Sequence, residues 1–237
     1  MTSHGGLALL GQAMEVARLE RQLDELGRYR GMSHADIVKT YLGLLCTGKS
    51  DFEAATGMRE GRFFRAALGI EQVPSAERLR QRMDEQALEY ARAIDEATIV
   101  LLERVAARVS PVWTGHVPLD LDLFPQDNSG THKEGVSYTY KGHDGYGVMG
   151  AYLGTEGWCL SADLKPGSEN GQLGFGFLQL LLIRAGHTVF GKLPAKIPDD
   201  FTLCIVMRSN GDSRVDTGSH AMRINHAGKP APQHDHF

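Results

Sequence analysis

Asp120 and Asp122 stand two residues apart in Val117-Pro-Leu-Asp-Leu-Asp-Leu123, where leucines at 119, 121 and 123 alternate with other residues. Alternation at period two is strand spacing, and a strand turns residues i and i+2 to the same side. Both carboxylates therefore share the face opposite the leucines. Two acids on an apolar strand cost desolvation energy unless something neutralises them. A divalent cation does so, and hard carboxylate oxygens suit magnesium or manganese. The plainer alternative is an edge strand with a solvated acidic face, since an exposed charge needs no partner. A glycine-bearing turn, Asp127-Asn-Ser-Gly130, follows.

A second cluster is basic. Residues 59 to 82 hold Arg59, Arg62, Arg65, Arg78, Arg80 and Arg82 against Glu60, Glu71 and Glu77. Six positive charges less three negative leave +3 locally, in a chain whose net charge is -4. Short helices with a basic bias suit phosphate contact, and a solvated helix face is the alternative. His116, His132 and His143 flank the acidic strand, and no two have a metal-ligand spacing. Tyr138, Tyr140 and Tyr146 have the chemistry to stack on bases and equally to pack within strands.

The elements that position these residues change character at Pro111. Before it the spacing is helical. Leu7, Leu10, Met14 and Ala17, then Leu19, Leu23 and Leu26, form apolar stripes. Ser33 with Asp36, and Pro74-Ser75, read as helix starts. Residues 51–69 read as two short helices, and a long helix runs from Ser75 to Ser110-Pro111. After Pro111, strands are expected at 117–123, 136–141, 148–153 and 158–164. The short turns between the later ones make them antiparallel. A helix over 171–186 leads to a strand at 201–207, expected to lie parallel to its partner. Residues 208–237 lack periodicity and are expected to be irregular.

The chain has 237 residues, 42% of them hydrophobic, enough for one large or two small domains. Cys46, Cys159 and Cys204 are odd in number and show no CxxC spacing, which favours neither a zinc site nor a disulfide framework. A reducing, cytoplasmic setting is expected. No apolar run is long enough for a membrane span.

Three stretches, in order, resemble one known family. They are Tyr41-Leu-Gly-Leu-Leu with Gly48-Lys-Ser-Asp-Phe-Glu53, Ala67-Leu-Gly-Ile70 and Val73-Pro-Ser75; then Pro118-Leu-Asp-Leu-Asp122 with Asp127-Asn-Ser-Gly-Thr131 and Lys133-Glu-Gly-Val136; then Tyr140-Lys-Gly-His-Asp-Gly-Tyr146 with Ala151-Tyr-Leu-Gly154 and Glu156-Gly157. Together they are similar to insertion-sequence transposases with an RNase H-like, DDE catalytic domain, over about residues 5–174. The resemblance implies a helical DNA-binding region (1–110), a partial RNase H-like domain (111–207) of three antiparallel strands, a helix and a parallel strand, and an irregular tail (208–237). It implies double-stranded DNA at transposon ends as partner, a homodimer, no membrane, and Mg2+ or Mn2+ held by three carboxylates. Asp122 best matches the first of these, Asp120 comes second and Asp127 third. The family's second acid follows the strand at 202–207 in an Arg-x-Asp-Ser-Gly pattern. This chain reads Arg208-Ser-Asn-Gly-Asp212-Ser, so Asp212 lies late, and no third acid is found. The expectation is a truncated, catalytically impaired transposase that still binds DNA. A non-catalytic DNA-binding regulator of transposition and a metal-dependent nuclease are the alternatives.

Overall fold

The computed structural model describes residues 4–27, 29–113, 117–169, 203–207 and 220–222, the last two segments as backbone only. The chain divides into two compact units, Met1–Ala106 and Ala107–Phe237. The division falls four residues before the Ser110-Pro111 signal.

The first unit is helical: α1 (Leu7–Val16), α2 (Leu19–Asp24), α3 (His34–Cys46), α4 (Ala54–Met58), α5 (Arg62–Leu68) and α6 (Ala76–Arg104). Two starts are fixed by the serines expected to cap them. Ser33 Oγ accepts the Asp36 N–H at 3.0 Å, and Ser75 Oγ accepts the Arg78 N–H at 3.2 Å. Each bond satisfies one of the N–H groups that a helix start leaves without an intrahelical partner. The chain breaks between α1 and α2, where Arg18 takes a left-handed conformation with φ 54°. The apolar stripe explains the break. It ends on Ala17 and restarts on Leu19, two residues on rather than three or four. Only an interrupted helix can bury Met14, Ala17, Leu19 and Leu23 together, and all four are buried. The core gathers Leu23, Ile37, Leu44 and Leu79, none more than 1% exposed. α6 is bent at Gln86, whose φ of -127° lies outside the helical range.

The second unit carries one sheet: β1 (Val117–Asp127), β2 (Ser137–Tyr138), β3 (Asp144–Leu153), β4 (Trp158–Pro166), β5 (Leu203–Met207) and β6 (His220–Met222). The order is β2-β3-β1-β5-β6, and β4 also pairs with β3. β1, β3 and β4 form an antiparallel meander, whereas β5 runs parallel to β1, as expected of a strand reached by a long connection. The protein is thus α+β, with helices first and a largely antiparallel sheet after them.

Three strand expectations need correction. The strand expected at 136–141 shrinks to Ser137–Tyr138 because the chain reverses at once. The Gly142 N–H donates to the Thr139 carbonyl, and Gly142 sits at φ 86°, a region glycine enters without steric cost. β3 in turn starts at Asp144 instead of 148. Within the stretch expected to be irregular, residues 220–222 pair antiparallel with β5. The helix expected at 171–186 lies outside the described residues.

Candidate functional site

β1 is not an edge strand. β3 pairs with it from Leu119 to Asp127 on one side, and β5 from Val117 to Leu121 on the other. The edge placement considered for this strand is thus overturned, while its acids keep part of their exposure. Leu119, Leu121 and Leu123 are buried on one face, joined by Met149, Ala151 and Leu153 of β3 and Leu160 of β4. Asp120 and Asp122 are half-buried on the opposite face. A central strand therefore carries two carboxylates partly withdrawn from water.

Their neighbours follow from the register. Asp120 faces Tyr152 and Asp122 faces Gly150. The Tyr152 ring leans over Gly150, so a Cβ built at 150 would stand 2.7–3.0 Å from three atoms of that phenol. Glycine at 150 thus leaves room for the Tyr152 ring at the position opposite Asp122. Burial first, then Cys159 and the two aspartates, push the Tyr152 hydroxyl above its ordinary pKa. Burial and then Asp122 do the same to Tyr140. β5 ends at Met207, opposite Leu121, one position short of Asp122 along β1. Among the described residues, no three His, Cys, Asp or Glu side chains converge as a metal site. Asp212 lies outside the described residues.

Asp127, the third acid named from the sequence, has a turn-forming role. Its Oδ1 accepts the Ser129 N–H at 2.8 Å, the local bond that closes an aspartate turn. That bond, more than the His143 ring at 4.0 Å, holds its carboxyl below the usual range. His132 is exposed, and His116 lies outside the described residues. Tyr146 donates to the Glu134 carbonyl at 2.7 Å, a packing role within the hairpin.

In the helical unit the six arginines separate. Arg59, Arg62 and Arg78 are exposed. Arg80 is ion-paired with Glu53 at 2.5 Å and lies 5.6 Å from the Phe52 ring. Arg65 is half-buried, and its Nε is buried with no hydrogen-bond partner. Arg82 is 0% exposed, which removes it from any set of phosphate contacts. It stacks on Tyr29, with Cζ 3.5 Å from the ring centroid. Its Nη2 donates to Tyr90 Oη and to His34 Nδ1, each at 2.8 Å, and its Nη1 to the Met32 carbonyl at 3.3 Å. The sequence held a signal for this. Arg82 lies three residues after the buried Leu79, on the side of the helix that meets the core. If Arg59, Arg62 and Arg78, exposed like Arg80 but not part of its ion pair with Glu53, are the phosphate contacts, changing all three to Ala should flatten the dependence of duplex affinity on salt. The expected loss is about one unit of log–log slope per contact. An unchanged slope would assign the contacts elsewhere.

His34 makes the same cluster sensitive to acid. Its Nδ1 accepts from Arg82 and stands 3.0 Å from Tyr90 Oη, an arrangement that requires the neutral ring. Burial first and the Arg82 charge second hold its pKa below 6.5. The unfolded chain therefore binds this proton more readily than the folded one. The stability from the neutral ring is complete above the ordinary value of 6.5 and is lost as pH falls through the depressed one. Melting of the helical unit should be flat in pH above about 6.5 and fall below it. His34→Gln should reduce that fall, and a fall of the same size would exonerate His34.

No family model matches the chain, and neither a curated protein nor a solved structure matches it.

Proposed function

We propose that the protein is a DNA transposition protein of the DDE type, in which the helical unit contacts double-stranded DNA and the sheet unit carries the chemistry. The observation that carries this reading is the pair Asp120 and Asp122, half-buried on a central strand between an antiparallel and a parallel neighbour. Carboxylates partly withdrawn from water on one face favour a nearby positive charge, which a divalent cation can supply. The order β4-β3-β1-β5, with only β5 parallel to β1, is also how an RNase H-like sheet begins.

The donor set suits a hard divalent ion in part. Asp122 and Asp120 offer carboxylate oxygens on one face, where the Tyr152 ring leans over the glycine opposite Asp122. These two residues would hold Mg2+ or Mn2+. Such ions, when bound, activate the attacking water or hydroxyl and stabilise the leaving oxygen in an in-line displacement at phosphorus. A full set needs further acids. Asp212, outside the described residues, is the candidate in the sequence. With two acids alone, binding is weak and strand cleavage impaired, while DNA binding by the other unit is retained.

Mn2+ titration followed by calorimetry tests the site. Weak binding is expected, reduced about tenfold or more by Asp122→Asn. Equal Mn2+ affinity in the wild type and the variant would overturn Asp122 as a ligand. Absence of duplex binding by the wild type, at low salt where phosphate contacts are strongest, would overturn the DNA reading as a whole.

A further inference from the structure

Tyr140 reverses the usual posture of an exposed tyrosine. A tyrosine at a surface generally buries its ring and wets its hydroxyl. Here the hydroxyl points inward and donates to the Leu123 carbonyl at 3.1 Å, while the residue stays 46% exposed. The turn that carries it is held from within. Thr139 is 2% exposed, and its Oγ1 donates to the His143 carbonyl at 2.8 Å. Lys141 Nζ stands 5.4 Å from the centroid of the Tyr140 ring. The result is an apolar surface held in orientation, with a cation against it and its hydroxyl bonded to the residue that follows Asp122.

We propose that Tyr140 is a stacking platform for a nucleobase, holding an unpaired base of a DNA strand next to Asp122, with Lys141 beside the neighbouring phosphate. The inference rests on the DNA-processing reading and specifies how the strand is held there. Carboxylates repel a phosphate backbone, so a strand brought to them needs an attachment that does not depend on charge. Base-on-aromatic stacking is one, and it tolerates any sequence because every base offers a π face. The inward-pinned hydroxyl orients the ring, and the residue stays 46% exposed.

The test uses the full chain, in EDTA so that no strand is cut, and a duplex with a short single-stranded overhang containing 2-aminopurine. Stacking of the unpaired base on Tyr140 should change the emission of the probe on saturation. Tyr140→Leu should weaken binding of a single-stranded oligonucleotide about tenfold and abolish the emission change. Tyr140→Phe, which keeps the ring, should retain most of both, and Lys141→Ala should weaken binding by a smaller factor. Full duplex without the overhang should bind all variants equally. If wild-type protein saturates the probe without changing its emission, the proposal fails without reference to any variant. It also fails if Tyr140→Phe loses as much as Tyr140→Leu, because the hydroxyl bond to Leu123 is then what counts. Either result with duplex binding intact leaves the DNA reading standing. Loss of duplex and single-strand binding alike in the wild type removes both.

Discussion

Arg82→Ala is expected to lower the stability of the helical unit by about 3–5 kcal/mol, a large share of the roughly 5–15 kcal/mol typical of a whole domain. The change strands the Met32 carbonyl, removes a donor from Tyr90 Oη and His34 Nδ1, and opens a cavity against Tyr29. Arg82→Lys should cost nearly as much, since an ammonium cannot stack on Tyr29 and reach three acceptors at once. Arg82→Met should cost markedly less. It fills the space and removes a buried charge that, among the described residues, has no ion-paired carboxylate. The nearest compensation is indirect. Glu85 accepts from the Tyr29 hydroxyl at 2.8 Å, and Tyr29 lies flat on the guanidinium. Chemical denaturation of the three variants checks the order. A penalty for Ala below about 1 kcal/mol would show that the cluster is dispensable. Duplex binding by Arg82→Met should match the wild type, since the side chain reaches no surface.

Gly145→Ala should be comparably damaging in the sheet unit, at about 3 kcal/mol or more. Gly145 is buried where three strands meet. It pairs with Asp127 of β1 and Ser137 of β2. A Cβ there would overlap the carbonyl oxygen of Gln126, and the Gln126 carbonyl carbon would lie 3.0 Å away. Both are backbone atoms within a ladder, so relief requires β1 and β3 to part rather than a side chain to turn. The expected result is early loss of the sheet on heating, with the β2–β3 turn opened. Gly130→Ala is the contrast. Nothing lies within 4 Å of its Cβ position, and the strain of φ 77° is the sole penalty. Equal melting of the Gly145 variant and the wild type would show that the strands have room to give.

Much of the fold could be read from residue types. Ser33 and Ser75 announced helix starts that the structure makes with the expected bonds. The leucines at 119, 121 and 123 announced a strand and put Asp120 and Asp122 on one face. The helical crossover expected before it announced a parallel β5. What local patterns could not supply was the identity of neighbours. Whether β1 was central or an edge depended on pairing with residues far along the chain, and the meaning of its two acids turned on that. Arg82 shows the same limit. As a charge count it belonged with Arg78 and Arg80, and only the convergence of Tyr29, His34 and Tyr90 from other segments makes it a core residue. The strand expected at 136–141 failed for the opposite reason. Its β-forming tyrosines were legible, but the left-handed glycine at 142 reverses the chain before a ladder can grow.

The placement of β5 has a consequence for how the chain reaches its folded state. β1, β3 and β4 follow one another closely and can zip together as a meander. Leu203 follows Asp127 by 76 residues, so β5 can join only after a costly loop closure. Until then the far side of β1 is an open ladder, the kind of template on which chains aggregate. Pro118 and Asp120 lie on the stretch that waits for β5, and Asp122 comes directly after it. An imino acid without an N–H and two charges are what discourages a wrong strand from docking there. The acids that mark the candidate site thus also guard the nascent chain, and replacing both with apolar residues would be expected to lower the yield of folded protein.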